Sequence, residues 1–77
     1  SKGQIVVLEE GNHRMSFFDR QGRFLSHSGS KGRGDGRFSH PRGIFCDRRR
    51  GWLLVADSYN DRIQIFDEEG KYLSQFG

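Results

Sequence analysis

Apolar residues fall in seven short runs, each closed off by Gly, Asp, Asn or Arg, and none shows the spacing of an amphipathic helix. "QIVVL" (4–8) and "WLLVA" (52–56) are almost wholly apolar, which fits strands covered on both faces. "MSFF" (15–18) and "IQIF" (63–66) read as strands as well. Each is followed by a turn, "DRQG" or "DEEG", whose leading Asp and closing Gly favour a tight hairpin. "RFLSHS" (23–28) and "KYLSQF" (71–76) alternate weakly and are more polar, as edge strands are. "GIFCD" (43–47) is a further short strand, which "RRRG" (48–51) turns back into "WLLVA". The predicted order is three strands, a long Gly-rich connection, then four strands.

The two halves are copies. A shift of 48 positions aligns residues 3–29 with 51–77 without a gap, and ten of the 27 positions are identical, among them Val7/Val55, Asn12/Asn60, Arg14/Arg62, Asp19/Asp67 and Gly22/Gly70. Four antiparallel strands repeated in tandem at this period make a propeller blade. With the strands lettered a to d from the central channel outward, the expected fold is all-β. It is a β-propeller fragment of about two four-stranded antiparallel blades, one complete and one lacking its innermost strand. Residues 3–29 supply strands b, c and d of one blade, 30–42 form a basic Gly-rich connecting loop, and 43–77 are the complete blade.

Composition agrees with a packed chain and localises the charge. The 77 residues are 13% aromatic, with seven Phe, so a disordered chain is excluded, and eleven Gly mark many turns. The net charge of +3 is uneven: residues 30–50 hold seven Lys or Arg against two Asp, a local +5, leaving −2 for the rest. A basic region of this kind points to an anionic partner. The lone Cys46 allows no internal disulfide, so a reducing compartment and a cytoplasmic location are expected. No run is apolar enough to span a bilayer and no signal-peptide pattern is present, so no membrane partner is expected. The chain opens at Ser1 on an apolar run and is expected to be part of something larger.

The string "GRFSHPRGIFCD…GWLLVADSYNDRIQIFDEEGKYLSQFG" resembles an NHL repeat, and "GNHRMSFFDRQG" resembles the middle of the same motif. Glu9 and Glu10 stand where the family pattern has Asp-Ser, and Met15 stands for Ile. The resemblance covers essentially the whole chain and implies a six-bladed propeller. Such domains often form the C-terminal part of TRIM-NHL proteins, post-transcriptional regulators that combine a RING ubiquitin ligase with RNA or protein recognition. Similar propellers occur in bacterial sensor kinases and in an amidating lyase, and the repeat alone does not choose among them. Two blades cannot close a ring, so the partners include the remaining blades or other copies of the chain, and the isolated chain is not expected to be a well-folded monomer.

Antiparallel topology sorts the loops onto two ends. The a–b and c–d turns bring Arg48–Arg50 together with the acidic turns Asp19–Gly22 and Asp67–Gly70. The b–c and d–a loops gather Lys31, Arg33, Arg37, His40 and Arg42 near His13, Asn12, Tyr59 and Asn60. Cations for phosphates, rings for stacking and Asn for base edges are the makings of a single-stranded RNA platform. The resemblance implies the same end, which RNA-binding TRIM-NHL proteins use. The residues equally allow a solvated Gly-Arg loop or a protein-contacting surface. Tyr59 has Gly11 as its counterpart, so the blade does not require it and recognition can use it. Asp57 and Arg62, like Glu9 and Arg14, are five apart across the b–c loop. They are read as a structural pair rather than as ligand contacts, and Asn60 and Asn12 as turn-shapers.

Other motifs carry less. "GSKGRGDG" lacks the Lys-Ser/Thr ending and the following helix of a phosphate loop. The "RGD" of residues 33–35 does not suit a reducing compartment. His13, His27, His40 and Cys46 have no metal-ligand spacing, and Cys46 is expected in the core of strand a. No catalytic constellation, metal or cofactor is called for. The functional expectation is an RNA-binding module in translational regulation. The alternatives are a protein–protein interaction propeller presenting substrates to a RING ubiquitin ligase and an enzyme built on a propeller scaffold, for which these two copies offer no acid–base cluster.

Overall fold

A computed structural model describes residues 3–77, and they form two antiparallel sheets. The first is β1 (Ile5–Glu9), β2 (Arg14–Phe18) and β3 (Phe24–Ser28); the second is β4 (Pro41–Asp47), β5 (Trp52–Asp57), β6 (Arg62–Asp67) and β7 (Tyr72–Phe76). Within each sheet, spatial order follows chain order. The 48-residue repeat is therefore structural: Glu9 faces Arg14 in the first sheet as Asp57 faces Arg62 in the second. The hairpin turns repeat as well. In both, an Asp side chain (Asp19 or Asp67) accepts two backbone N–H bonds at 2.9 Å, and the Gly three residues on takes positive φ, 86° at Gly22 and 91° at Gly70. That backbone region is nearly closed to other residues, which is why the turn ends in Gly. Single turns of 3-10 helix, Glu10–Asn12 and Ser58–Asn60, fill both b–c loops, where sequence periodicity gave no helical signal.

The core lies between the two sheets. Alternation points Val6, Leu8, Met15 and Phe17 of the first sheet at Ile44, Leu53, Val55 and Phe66 of the second. The opposite faces lack a cover. Ile5 and Val7 remain 46% and 42% exposed on the first sheet, and Phe45 is 65% exposed on the second. The nearly all-apolar strands thus have one face buried and the other bare within this pair of blades.

Cys46 is exposed, contrary to the core role expected of it. It shares its face of β4 with the half-buried Ile44, but among the described residues the first sheet has no strand inside β1 to cover that end of β4. The connecting loop holds a larger surprise. Phe38, in the middle of the basic segment, is fully buried and lies 5.5 Å from Phe66, ring centre to ring centre. It packs so close to Gly29 that a Cβ there would sit 2.6 Å from the ring. Phe38 exchanges backbone bonds across the loop, its N–H to Ser30 O at 2.8 Å and its carbonyl from Gly32 N–H at 2.9 Å.

Candidate nucleic-acid interface

Two carboxylates organise the loop end of the blades. Asp57, fully buried, accepts from Asn60 Nδ2 and Arg62 Nε, both at 2.9 Å, from Gln64 Nε2 at 3.2 Å and from Ser39 N–H at 2.7 Å. Glu9 repeats the first three contacts 48 residues earlier, accepting from Asn12 Nδ2 at 2.9 Å, Arg14 Nε at 3.0 Å and Ser16 Oγ. The hydrogen bonds from Ser16 and Asn12, with Arg14 alongside, hold the Glu9 carboxyl at about 2, against an ordinary 4.5. These side chains brace the b–c loops, and their donors are committed to that task. Arg62 uses four of its five N–H donors: beyond Asp57 it donates to Gln75 Oε1 and to the carbonyls of Gly34 and Arg37.

Through the same bonds the braces fix the basic loop. Gln64, buried in β6, gives Nε2 to Arg37 O at 2.7 Å and takes Gly36 N–H on Oε1 at 2.8 Å, while Asn60 Nδ2 also reaches Gly32 O at 3.0 Å. The segment is therefore a folded loop whose backbone is tied down and whose cationic side chains project. Lys31, Arg33 and Arg37 are exposed, and none has a carboxylate partner among the described residues. Arg42 differs, being paired with Glu10 at 3.4 Å.

The aromatic residues meet across the blade boundary. His40 lies 4.2 Å from Tyr59, ring to ring, and 4.8 Å from His13 in an edge-on contact. Its backbone N–H donates to His13 Nδ1 at 3.0 Å, so the two blades are latched by the first two members of this ladder, His13 and His40. His13 and His40 both adopt left-handed backbone, φ 53° and 50°, which His tolerates better than branched residues. Tyr59 is the outermost ring, 61% exposed. Beyond it opens a cleft of about 310 Å³ lined by Arg33, Tyr59, Asn60, Asp61 and Arg62.

Of the eight residues singled out from sequence, seven are thus linked: His13–His40–Tyr59 by ring contacts, Asn60 and Arg33 by the cleft, and Arg37 through the braces to the loop that carries Lys31. Arg42 stands on the same end but is engaged by Glu10. Sequence reasoning missed Phe38, Ser16 and Gln64. The signal for Phe38 was the aromatic in "GRFSHP", and for Gln64 the lone polar residue inside "RIQIF".

A larger cleft, about 420 Å³, opens between the sheets at the opposite end, where Cys46, Asp47, Arg48 and Trp52 contribute to its wall. One of its two carboxylates, Asp47, pairs with Arg50 at 2.7 Å, which holds its carboxyl below the ordinary range, and Arg50 also lies over Trp52 at 5.3 Å. Size alone favours this cleft, but the smaller one sets the exposed Tyr59 ring beside Arg33, a cation without a carboxylate partner among the described residues. Among the described residues, no group of three or more His, Cys, Asp or Glu is placed to hold a metal ion, and no helix is long and apolar enough to cross a membrane.

Comparison with curated proteins finds no match. A family profile described as a 6-bladed beta-propeller matches residues 1–74, nearly the whole chain, and agrees with the paired antiparallel sheets and their repeat. The chain belongs to this 6-bladed β-propeller family.

Proposed function

We propose that the chain is an NHL-type recognition module of the TRIM-NHL kind that binds single-stranded RNA across the loop end of its blades. The observation that carries the reading is the His13–His40–Tyr59 ladder, open at Tyr59 and flanked by Lys31, Arg33 and Arg37, which have no carboxylate partners among the described residues. An exposed ring offers any base a stacking surface, and cations on a tied-down loop meet phosphates without the entropy of ordering that loop. The work is recognition rather than catalysis, in the cytoplasm, and any ubiquitin-ligase chemistry belongs to another domain.

The test is RNA retention by the complete propeller, comparing Arg37→Ala and Tyr59→Ala with the parent. Both should weaken binding while leaving the melting temperature in place, because neither side chain belongs to the core or the braces. If both variants retain RNA fully, the reading fails, and a propeller that presents protein substrates to a RING ligase takes its place.

A further inference from the structure

Resting on the RNA-binding reading, we infer that the cleft beside Tyr59 is a slot for one unstacked base and that it prefers guanine. The argument is a count of unspent groups. Of the residues lining the cleft, Arg62 has four of its five donors committed to Asp57, Gln75 and two carbonyls, and both Asn60 amide hydrogens are spent on Gly32 O and Asp57. What remains, besides one Arg62 N–H, is the Tyr59 ring, the Asn60 amide oxygen, the Asp61 carboxylate and the Arg33 guanidinium. Asp61 is exposed, held at φ 53°, and its carboxylate meets no donor among the described residues.

A guest for this set needs an aromatic face, adjacent hydrogen-bond donors and a negative charge. Guanine presents N1–H and N2–H side by side on its Watson–Crick edge, matching a carboxylate's two oxygens, whereas uracil offers one donor between two acceptors. The base stacks on Tyr59 and extends the ring ladder, while Arg33 takes a phosphate. A cationic guest such as a peptide arginine would satisfy Asp61 but meet Arg33, with Arg37 and Lys31 on the same loop. The first blade supplies a contrast. His13 is the counterpart of Asp61, and its Nδ1 is already occupied by the His40 N–H across the blade boundary.

The experiment uses the complete propeller and oligouridine strands carrying one central guanine, adenine, cytosine, inosine or uracil. Guanine should bind roughly tenfold or more tighter than uracil, the range of one bidentate base contact. Inosine, which lacks the N2 amine, should fall between them. Asp61→Asn should remove the guanine advantage. Binding of every strand with equal affinity overturns the guanine slot while the RNA-binding face stands. Binding of none overturns the RNA reading and this inference with it. If Asp61→Asn melts the protein at lower temperature and keeps the guanine preference, Asp61 is a blade-junction group like His13, and the proposal is wrong. Should the variant fail to fold, the inosine series on the parent still decides.

Discussion

Glu9 and Asp57 show how one residue position serves a repeat. Each gathers the Asn, Arg and polar strand residue found three, five and seven positions later, so one acid orders a whole b–c loop. The pairing of acid and Arg was legible from their spacing across the loop. The Ser16 and Gln64 contacts were not, because a polar residue in a strand declares no partner until register places it. The pH consequence follows from Glu9. Its folded pKa is about 2, below the ordinary 4.5, so its contribution to stability is complete above about pH 4.5 and disappears as the pH falls to about 2. In a propeller containing these blades, the urea midpoint should fall through that window, and Glu9→Gln should be less stable at pH 7 with a shallower decline. Equal slopes in parent and variant would remove Glu9 from the account.

At the scale of elements, the connecting loop departs most from what composition implied. Its Gly and Arg content matched a solvated tether, yet Phe38 is buried beneath it and the braces hold its backbone. Burial of Phe38 depends on Phe66, which is distant in sequence, so the aromatic in "GRFSHP" marks the position without naming what covers it. Phe38→Ala should cost about 3–5 kcal/mol, as large-to-small core changes do. Because the loop is pinned by that ring, the Gly32 and Phe38 amides should then exchange hydrogen faster than the β5–β6 ladder. If stability falls by under 1 kcal/mol, on the order of a surface change, the ring does not anchor the loop.

The whole molecule leaves two complementary faces open. The bare side of the first sheet, with Ile5 and Val7, corresponds by the 48-residue shift to the buried Leu53 and Val55; the outer side of the second, with Leu54 and Ile63, corresponds to the half-buried Val6 and the buried Met15. Each blade pair therefore carries both halves of a blade–blade contact, the head-to-tail arrangement that closes a ring. A cleft of about 400 Å³ between Phe45, Leu54, Ala56, Ile63 and Phe76 marks one of these faces. Sedimentation of residues 1–77 alone should show association or loss of the cooperative fold; a sharp monomer boundary with cooperative melting would contradict it. The strands, hairpins and ring architecture were legible because the repeat states them twice. Cys46 was misjudged because its burial depends on a neighbouring blade, which a single strand's pattern does not encode.

Tyr59 and the loop before β4 are among the features the two blades do not share, and we propose that these bind RNA. The most direct measurement is the affinity of the complete propeller for single-stranded RNA as a function of salt. The predicted result is a steep linear loss in log–log form. Arg37→Ala should reduce the slope by about 0.7, the share of one phosphate contact, and Tyr59→Ala should weaken binding at every salt concentration with the slope unchanged. A salt-independent affinity, or slopes that are the same in the parent and Arg37→Ala, would contradict it.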